Sequence, residues 1–120
     1  MSYLYAISRT DLPVHQQAIQ SAHAQLEYMR IWGSLREHPT FVWLTVSSKI
    51  ELLIIQTLLE GKGIKVCAFT DPDYEGYQTS AISCLLSEDQ RHLLSDLKLW
   101  NCYPPKKISF WQRLSRFREV

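Results

Sequence analysis

Short apolar runs alternate with longer amphipathic stretches along this chain. Four of the runs are rich in β-branched and aromatic residues, which is typical of β-strands. They lie at residues 3–8, 40–46, 65–70 and 79–86. The run "TFVWLTV" at 40–46 is almost continuously apolar, a pattern that indicates a strand covered on both faces.

The first amphipathic stretch predicts a helix between the first two strands. Asp11 is the expected N-cap, and Pro13 is tolerated in the first turn because its missing N–H would be unpaired there. The helix should run to about Trp32 and end at Gly33.

Two further helices each begin with a capping box, in which a serine and a Glu or Gln three residues later satisfy each other's backbone N–H groups. The boxes and the expected helix ends are Ser48 with Glu51, ending at Gly61 or Gly63, and Ser87 with Gln90, ending at about Asp96.

This order of elements predicts an α/β fold, a three-layer α/β/α sandwich around a four-stranded mixed sheet. Residues 1–100 form the predicted domain. A Pro-Pro break then opens a basic, amphipathic C-terminal extension at 101–120.

The predicted first helix carries two different faces. Ile19, Ala22, Leu26 and Met29 share one face, which we expect to lie against the sheet. Other residues at helical spacing form a polar face, and these are Gln16, Gln20 and His23. His15 falls in the first turn, where the helix dipole favours a neutral imidazole that could act as a base or a hydrogen-bond donor.

The start of this helix should meet the loop that follows the third strand. Ligands of open α/β sheets bind outside the carboxyl ends of the strands, which places Arg9 to Gln20 and the loop 70–78 at one edge. A solvent-exposed glutamine face is the structural alternative. No metal site is expected, because His15 and His23 would lie about 12 Å apart along a helix axis.

Composition indicates an ordinary cytoplasmic protein. The chain has 120 residues, 46% of them hydrophobic, and its net charge of +1 indicates no overall attraction to nucleic acid. The three cysteines are widely spaced, so disulfides are not expected. We find no signal peptide and no apolar run long enough to span a membrane.

The stretch "ISRTDLPVHQQAIQSAHA" resembles the first strand and helix of the second type of peptidyl-tRNA hydrolase, which occurs in archaea, eukaryotes, some bacteria and phages. The shared pattern is a strand ending in Arg, then x-Asp-Leu, then a helix with Ala-x-Gln-x-x-His-Ala. The likeness continues through "HPTFVWLTVSSKIELLIIQTLLEGKGIKVCAFTDPD" to the threonine of "QTSAIS", and so covers about residues 3–100.

The resemblance implies a cytoplasmic, often dimeric enzyme that cleaves the ester bond of peptidyl-tRNA without a metal or cofactor. The catalytic residues it implies are Gln20, His23 and Asp73, and His15 and Gln16 at the start of the same helix complete the candidate catalytic set. The substrate-binding residues it implies are Arg9, Asp11, Asp71 and Thr79. The loop acid of the family corresponds to Asp71 or Asp73, and spacing alone does not choose between them.

One departure from the family pattern concerns a lysine. The family helix opens with a Gly-Lys pair, whereas His15 and Gln16 stand in the shorter matching region here. A glutamine orients a substrate but carries no charge and exchanges no proton. His15 therefore takes over part of the lysine's role, or the activity is altered or absent. The alternatives are a non-catalytic tRNA-binding module and a protein-interaction domain that acts through the C-terminal extension.

The extension holds five basic residues and one acidic residue, a local charge of +4. Its helical pattern brings Phe110, Trp111, Leu114 and Phe117 onto one face. This pattern has three interpretations: an arm that binds phosphates, a helix that binds a partner or a membrane surface, and a terminal helix that packs on the body with its arginines in solvent.

Overall fold

The fold is built on a single mixed sheet, seen in a computed structural model that describes residues 2–33, 38–72, 79–100 and 109–118. Five strands lie in the order β3-β4-β1-β2-β5. The strands are β1 (Ser2–Arg9), β2 (Thr40–Val46), β3 (Val66–Thr70), β4 (Thr79–Ser87) and β5 (Lys98–Leu99). The helices are α1 (Val14–Trp32), α2 (Lys49–Gly61), a 3₁₀ helix (Glu88–Leu94) and α3 (Phe110–Arg118).

The prediction of an α/β fold with a mixed sheet is confirmed, but the sheet has five strands rather than four. The additional strand, β5, has only two residues, too few to show the period-two alternation by which strands are predicted. It pairs antiparallel with β2, and the Trp100 N–H donates to the Trp43 carbonyl oxygen at 2.8 Å.

Strand directions place several chain ends at one edge of the sheet. β1 runs parallel to β2 and antiparallel to β4, and β3 runs antiparallel to β4. The carboxyl ends of β1, β2 and β3 therefore lie at the edge where β4 begins.

Alternate residues of β1 pack on opposite faces of the sheet. Tyr3, Tyr5 and Ile7 join a large cluster that includes the buried residues of α2. Leu4 joins a smaller cluster with Tyr28 of α1. Helices therefore pack on both faces. Among the described residues, no helix combines the length and the hydrophobicity needed to cross a bilayer.

The ends of α2 follow the predicted signals. Ser48 Oγ accepts a hydrogen bond from the Glu51 N–H at 3.2 Å, as a capping serine should. The helix ends at Gly61, and Gly63 then adopts a left-handed φ of 78°. This conformation, which glycine adopts without steric cost, allows the Gly63 N–H to satisfy the Glu60 carbonyl at 2.9 Å.

The prediction that Asp11 caps α1 is wrong. Pro13 occupies the N-cap position, and no side chain caps this helix. The Asp11 carboxylate instead binds the Arg9 guanidinium.

The predicted orientation of α1 is also wrong. The helix packs over β1, β3 and β4. The residues it buries are Gln17, Gln20, Ser21, Ala24 and Tyr28. Ile19 and Leu26 are 44% and 66% exposed. The small Ser21 and Ala24 let the helix approach the sheet closely, and the buried Gln17 and Gln20 both have hydrogen-bond partners there. The helix therefore buries a polar stripe instead of its apolar one.

Candidate functional site

Gln20 lies at the centre of the edge where β3 ends and β4 begins, and it is fully buried. Its Nε2 donates to Gln16 Oε1 and to Asp71 Oδ2, both at 3.0 Å. Its Oε1 lies 2.8 Å from the hydroxyl oxygen of Ser80. The predicted meeting of the helix start with the loop after the third strand is thus seen directly in the Gln20–Asp71 contact.

Hydrogen-bond chemistry fixes the orientation of the Gln20 amide. The Asp71 carboxylate only accepts hydrogen bonds, so the amide nitrogen must face it. The Ser80 hydroxyl has one proton and two nearby acceptors, Gln20 Oε1 and the Phe69 carbonyl oxygen at 3.1 Å. This network holds three elements together, because its members come from α1, from β4 and from the end of β3.

The same orientation determines what Gln16 presents. Its Oε1 accepts the hydrogen bond from Gln20. The Nε2 group of Gln16 makes no hydrogen bond to the described residues, and Gln16 is partly exposed. The two N–H groups of Gln16 are therefore not used by this network, in which Gln20 links Gln16 to the Asp71 carboxylate.

A second, ionic unit fixes the segment between β1 and α1. The buried Arg9 donates from Nε and Nη2 to the two carboxylate oxygens of Asp11, at 2.9 and 2.7 Å. Its Nη1 donates to the Thr79 carbonyl oxygen at 3.0 Å. Through these contacts, Arg9 joins the start of β4 to the turn before α1.

The two predicted histidines occupy different surroundings. His23 stacks on Phe69 of β3 with ring centroids 4.5 Å apart and an angle of 13° between the rings. It lies on the same flank of α1 as Gln16 and Gln20. His15 lies in the exposed first turn, and it has no hydrogen bond to the described residues.

Of the remaining predicted site residues, the structure describes Asp71 and Thr79 but not Asp73. Asp71 is the loop acid that contacts Gln20, whereas Asp73 lies outside the described residues. Thr79 contributes its backbone carbonyl to the Arg9 contact. Within the described ranges, no group of three or more His, Cys, Asp or Glu residues could hold a metal ion.

Sequence reasoning missed an aromatic unit on the other flank of α1. Trp43 and Trp100 stack with centroids 4.3 Å apart and an angle of 5° between the rings. Trp100 Nε1 donates to Gln17 Oε1 at 3.1 Å, and Gln17 Nε2 donates to the Leu12 carbonyl oxygen at 2.8 Å. Because neighbouring residues of a helix project about 100° apart, the sequence indicated that Gln16 and Gln17 lie on different flanks of α1.

Ser80 was also missed. It follows Thr79 in a strand whose buried faces are otherwise largely apolar, so a serine there requires a hydrogen-bond partner. This requirement could have marked Ser80 as a candidate in the sequence. It could not have identified the partner, because Gln20 lies 60 residues away in the chain.

The fold and the site define an α/β protein with a buried polar network at the carboxyl edge of a mixed sheet. No family model matches this chain, and no curated protein matches it in sequence. In structure it is similar to a protein of unknown function from Agrobacterium tumefaciens, with a TM-score of 0.64 and 12% identity. The similarity covers 83% of this chain and 98% of the other, and it shows a shared fold.

Proposed function

We propose that this protein hydrolyses the ester bond of peptidyl-tRNA. The observation that carries the proposal is the contact of the buried Gln20 with Asp71 and Gln16, because it joins a carboxylate and two amide donors at one sheet edge. Ester hydrolysis needs a proton acceptor for water and donors for the oxyanion. The resemblance of the first strand and helix to the second type of peptidyl-tRNA hydrolase supports the same reaction.

In the proposed reaction, Asp71 accepts a proton from a water molecule whose oxygen attacks the ester carbonyl carbon. One amide N–H of Gln16 donates to the oxyanion that forms. Collapse of the tetrahedral intermediate breaks the bond to the ribose 3′ oxygen, and the proton held by Asp71 passes to that oxygen. Gln20 acts as a positioning residue, since it fixes both Asp71 and Gln16.

The histidines and Arg9 receive supporting roles in this proposal. His23, stacked on Phe69, borders the same flank and places the water or a ribose hydroxyl. His15, exposed in the first turn, contacts the RNA in place of the family lysine. Arg9 positions the turn before α1 through Asp11 and Thr79. Asp73, two residues after Asp71 in the sequence, is the alternative proton acceptor in this proposal.

The stacked Trp43 and Trp100 support a nucleic-acid substrate. Aromatic side chains bind unpaired bases by stacking, worth about 1–3 kcal/mol per base. Because Trp100 is hydrogen-bonded to Gln17, this aromatic surface adjoins the first turns of α1. The unpaired 3′ end of tRNA would bind there. Helices on both sheet faces support a three-layer arrangement, and the proposal also includes a cytoplasmic location and a homodimer.

A non-catalytic tRNA-binding module is the second candidate. The observation that favours it is the absence of a lysine at the start of α1, where Gln16 stands. A third candidate is a protein-interaction domain acting through the C-terminal extension.

Incubation of the purified protein with N-acetylaminoacyl-tRNA separates these functions. The proposed enzyme cleaves the ester faster than it hydrolyses spontaneously. Binding that weakens steeply with salt, but without cleavage, would instead identify the binding module. Failure to bind tRNA even at low salt would leave the interaction domain.

A further inference from the structure

The hydroxyl of Ser80 lies at the inner end of the hydrogen-bond network around Gln20. Ser80 is fully buried, and its Oγ lies 2.8 Å from Gln20 Oε1 and 3.1 Å from the Phe69 carbonyl oxygen. A serine hydroxyl has a single proton to donate. Because both neighbouring oxygens are acceptors, the proton serves one of them at a time.

While Asp71 is ionised, its carboxylate is sufficient to orient the Gln20 amide. Both protons of Gln20 Nε2 are used, one by Gln16 Oε1 and one by Asp71 Oδ2, each at 3.0 Å. An inverted amide would place its oxygen against a carboxylate that has no proton to donate. The Ser80 proton completes this arrangement, because it supplies the donor that the buried Gln20 Oε1 needs.

This constraint is lost once Asp71 accepts a proton. A carboxylic acid donates as well as accepts hydrogen bonds, so it can bind the oxygen of an inverted Gln20 amide as well as the nitrogen. In the inverted arrangement the Ser80 hydroxyl accepts from Gln20 Nε2 and donates to the Phe69 carbonyl oxygen instead. Two arrangements of the same groups are therefore available at the stage of the proposed reaction when the oxyanion exists.

The two arrangements present opposite groups of Gln16. When Gln20 Nε2 donates, Gln16 turns its oxygen inward and keeps its N–H groups for a substrate. When the Gln20 amide is inverted, Gln16 must turn its nitrogen inward, and it presents an oxygen that would repel an oxyanion. The Ser80 proton favours the first arrangement as long as it stays on Gln20 Oε1, the nearer of its two acceptors.

We infer that Ser80 is a positioning residue, whose hydroxyl proton holds the amides of Gln20 and Gln16 in the donor orientation after Asp71 has accepted a proton. The hydrogen bonds that connect Ser80 to Gln16 through Gln20 measure 2.8 and 3.0 Å. Because Ser80 is fully buried, it acts through Gln20 and not on the substrate. The catalytic consequence rests on the proposed function, whereas the orientation of the amides does not.

Nuclear Overhauser effects in the isotope-labelled full chain test the orientation without a substrate. Asp71→Asn is the informative background, because an amide, like a carboxylic acid, both donates and accepts. With Ser80 intact, the Gln20 NH₂ protons in Asp71→Asn should stay remote from residue 80, as in the parent. In Asp71→Asn/Ser80→Ala the amide should turn, so its effect on the new methyl group should be clearly stronger than in Ser80→Ala, where Asp71 still orients it.

Turnover of N-acetylaminoacyl-tRNA tests the consequence for catalysis. Ser80→Ala should lower kcat at least about tenfold and leave KM nearly unchanged, because an oxyanion donor acts only in the transition state. Ser83→Ala is the matched control and should keep the parent kcat. Ser83 is an equally buried serine of β4, and its hydroxyl donates to the Tyr5 carbonyl oxygen at 2.8 Å. Circular dichroism checks that each variant is folded.

The two measurements separate this inference from the proposed function. A parent that cleaves no ester would remove the proposed function, and the Overhauser effects would still decide the orientation. A Gln20 amide that faces residue 80 in Asp71→Asn would overturn the inference, and this variant keeps Ser80 and so decides even if Ser80→Ala does not fold. An amide that does not turn in the double variant would overturn it too, as would an active parent in which Ser80→Ala and Ser83→Ala have equal kcat.

Discussion

At the scale of single residues, the position of Gln20 decides the character of the site. A buried amide without partners would cost several kcal/mol, yet Gln20 is fully buried and its nitrogen and oxygen both have partners. Its hydrogen bonds hold the Asp71 carboxylate and the Gln16 amide in fixed positions relative to each other. Rigid placement of donors is what stabilisation of an oxyanion requires.

Gln16 should contribute mainly to catalysis rather than to folding. Gln16→Ala removes the proposed oxyanion donor, and loss of one such donor typically lowers the rate about 10²–10³-fold. We expect kcat/KM for N-acetylaminoacyl-tRNA to fall by about that factor. Gln25→Ala, on the same helix but facing a different flank, is the control. Equal rates for the two variants would remove Gln16 from the mechanism.

Cys84 should make the protein less stable at alkaline pH. Burial raises the pKa of the Cys84 thiol to about 12 from an ordinary 9.0. Above pH 9 the unfolded chain loses this proton while the folded chain keeps it, so the free energy of unfolding falls with pH. The slope approaches about 1.4 kcal/mol per pH unit. Burial also raises the pKa of Tyr28 and acts in the same direction.

Urea titrations at pH 8, 9 and 10 measure this slope. Cys84→Ala should lower stability at pH 8, because it removes buried sulfur, but its stability should decline less steeply above pH 9. Parallel declines in the parent and in Cys84→Ala would show that the thiol does not contribute.

At the scale of elements, α3 is attached to the body by a buried ionic cluster. The Arg113 side chain is only 3% exposed, and its Nη2 contacts Glu51 Oε1 of α2. Its Nη1 lies 3.2 Å from Asp96 Oδ2. The Arg113–Asp96 contact is an ion pair without hydrogen-bond geometry. Arg116 lies 3.6 Å from Asp96 as well. Of the interpretations open for the extension, packing on the body is observed for α3, but Arg113 is buried rather than solvated.

Replacing Arg113 by methionine should destabilise the protein. The apolar volume is kept, but Glu51 and the buried Asp96 lose a cation, and breaking a buried pair on one side costs about 3–5 kcal/mol. Because Arg116 remains near Asp96, we expect about 3 kcal/mol in urea unfolding. Arg118→Met, at an exposed position of the same helix, should change stability by less than about 0.5 kcal/mol. Similar midpoints for both variants would contradict this account of the cluster.

At the scale of the whole molecule, the sequence predicted the main strands and α2 well, because their signals are local. Apolar runs and the Ser48 cap depend on neighbouring residues only. The orientation of α1 could not be predicted in this way. The stripe that contains Ile19 and Leu26 is more hydrophobic than the stripe that the helix buries. Gln20 faces inward because of hydrogen bonds to residues far away in the chain, Ser80 and Asp71.

The site was predictable in part for the same reason. The rule that ligands bind at the carboxyl ends of strands placed α1 and the loop after β3 together, and Gln20 contacts Asp71. The roles of Ser80, Trp43 and Trp100 depend on partners between 35 and 83 residues away in the chain. No local pattern carries that information.

The most direct test of the central claim is the initial rate of N-acetylaminoacyl-tRNA cleavage by the parent, by Asp71→Asn and by Asp89→Asn. Asp89 is an exposed carboxylate of the 3₁₀ helix and serves as the control. We expect Asp71→Asn to lose about 10²–10⁴-fold in rate, the usual contribution of a general base, while Asp89→Asn keeps the parent rate. A parent that is no faster than spontaneous hydrolysis, or an Asp71→Asn variant that cleaves as fast as the parent, would contradict the account.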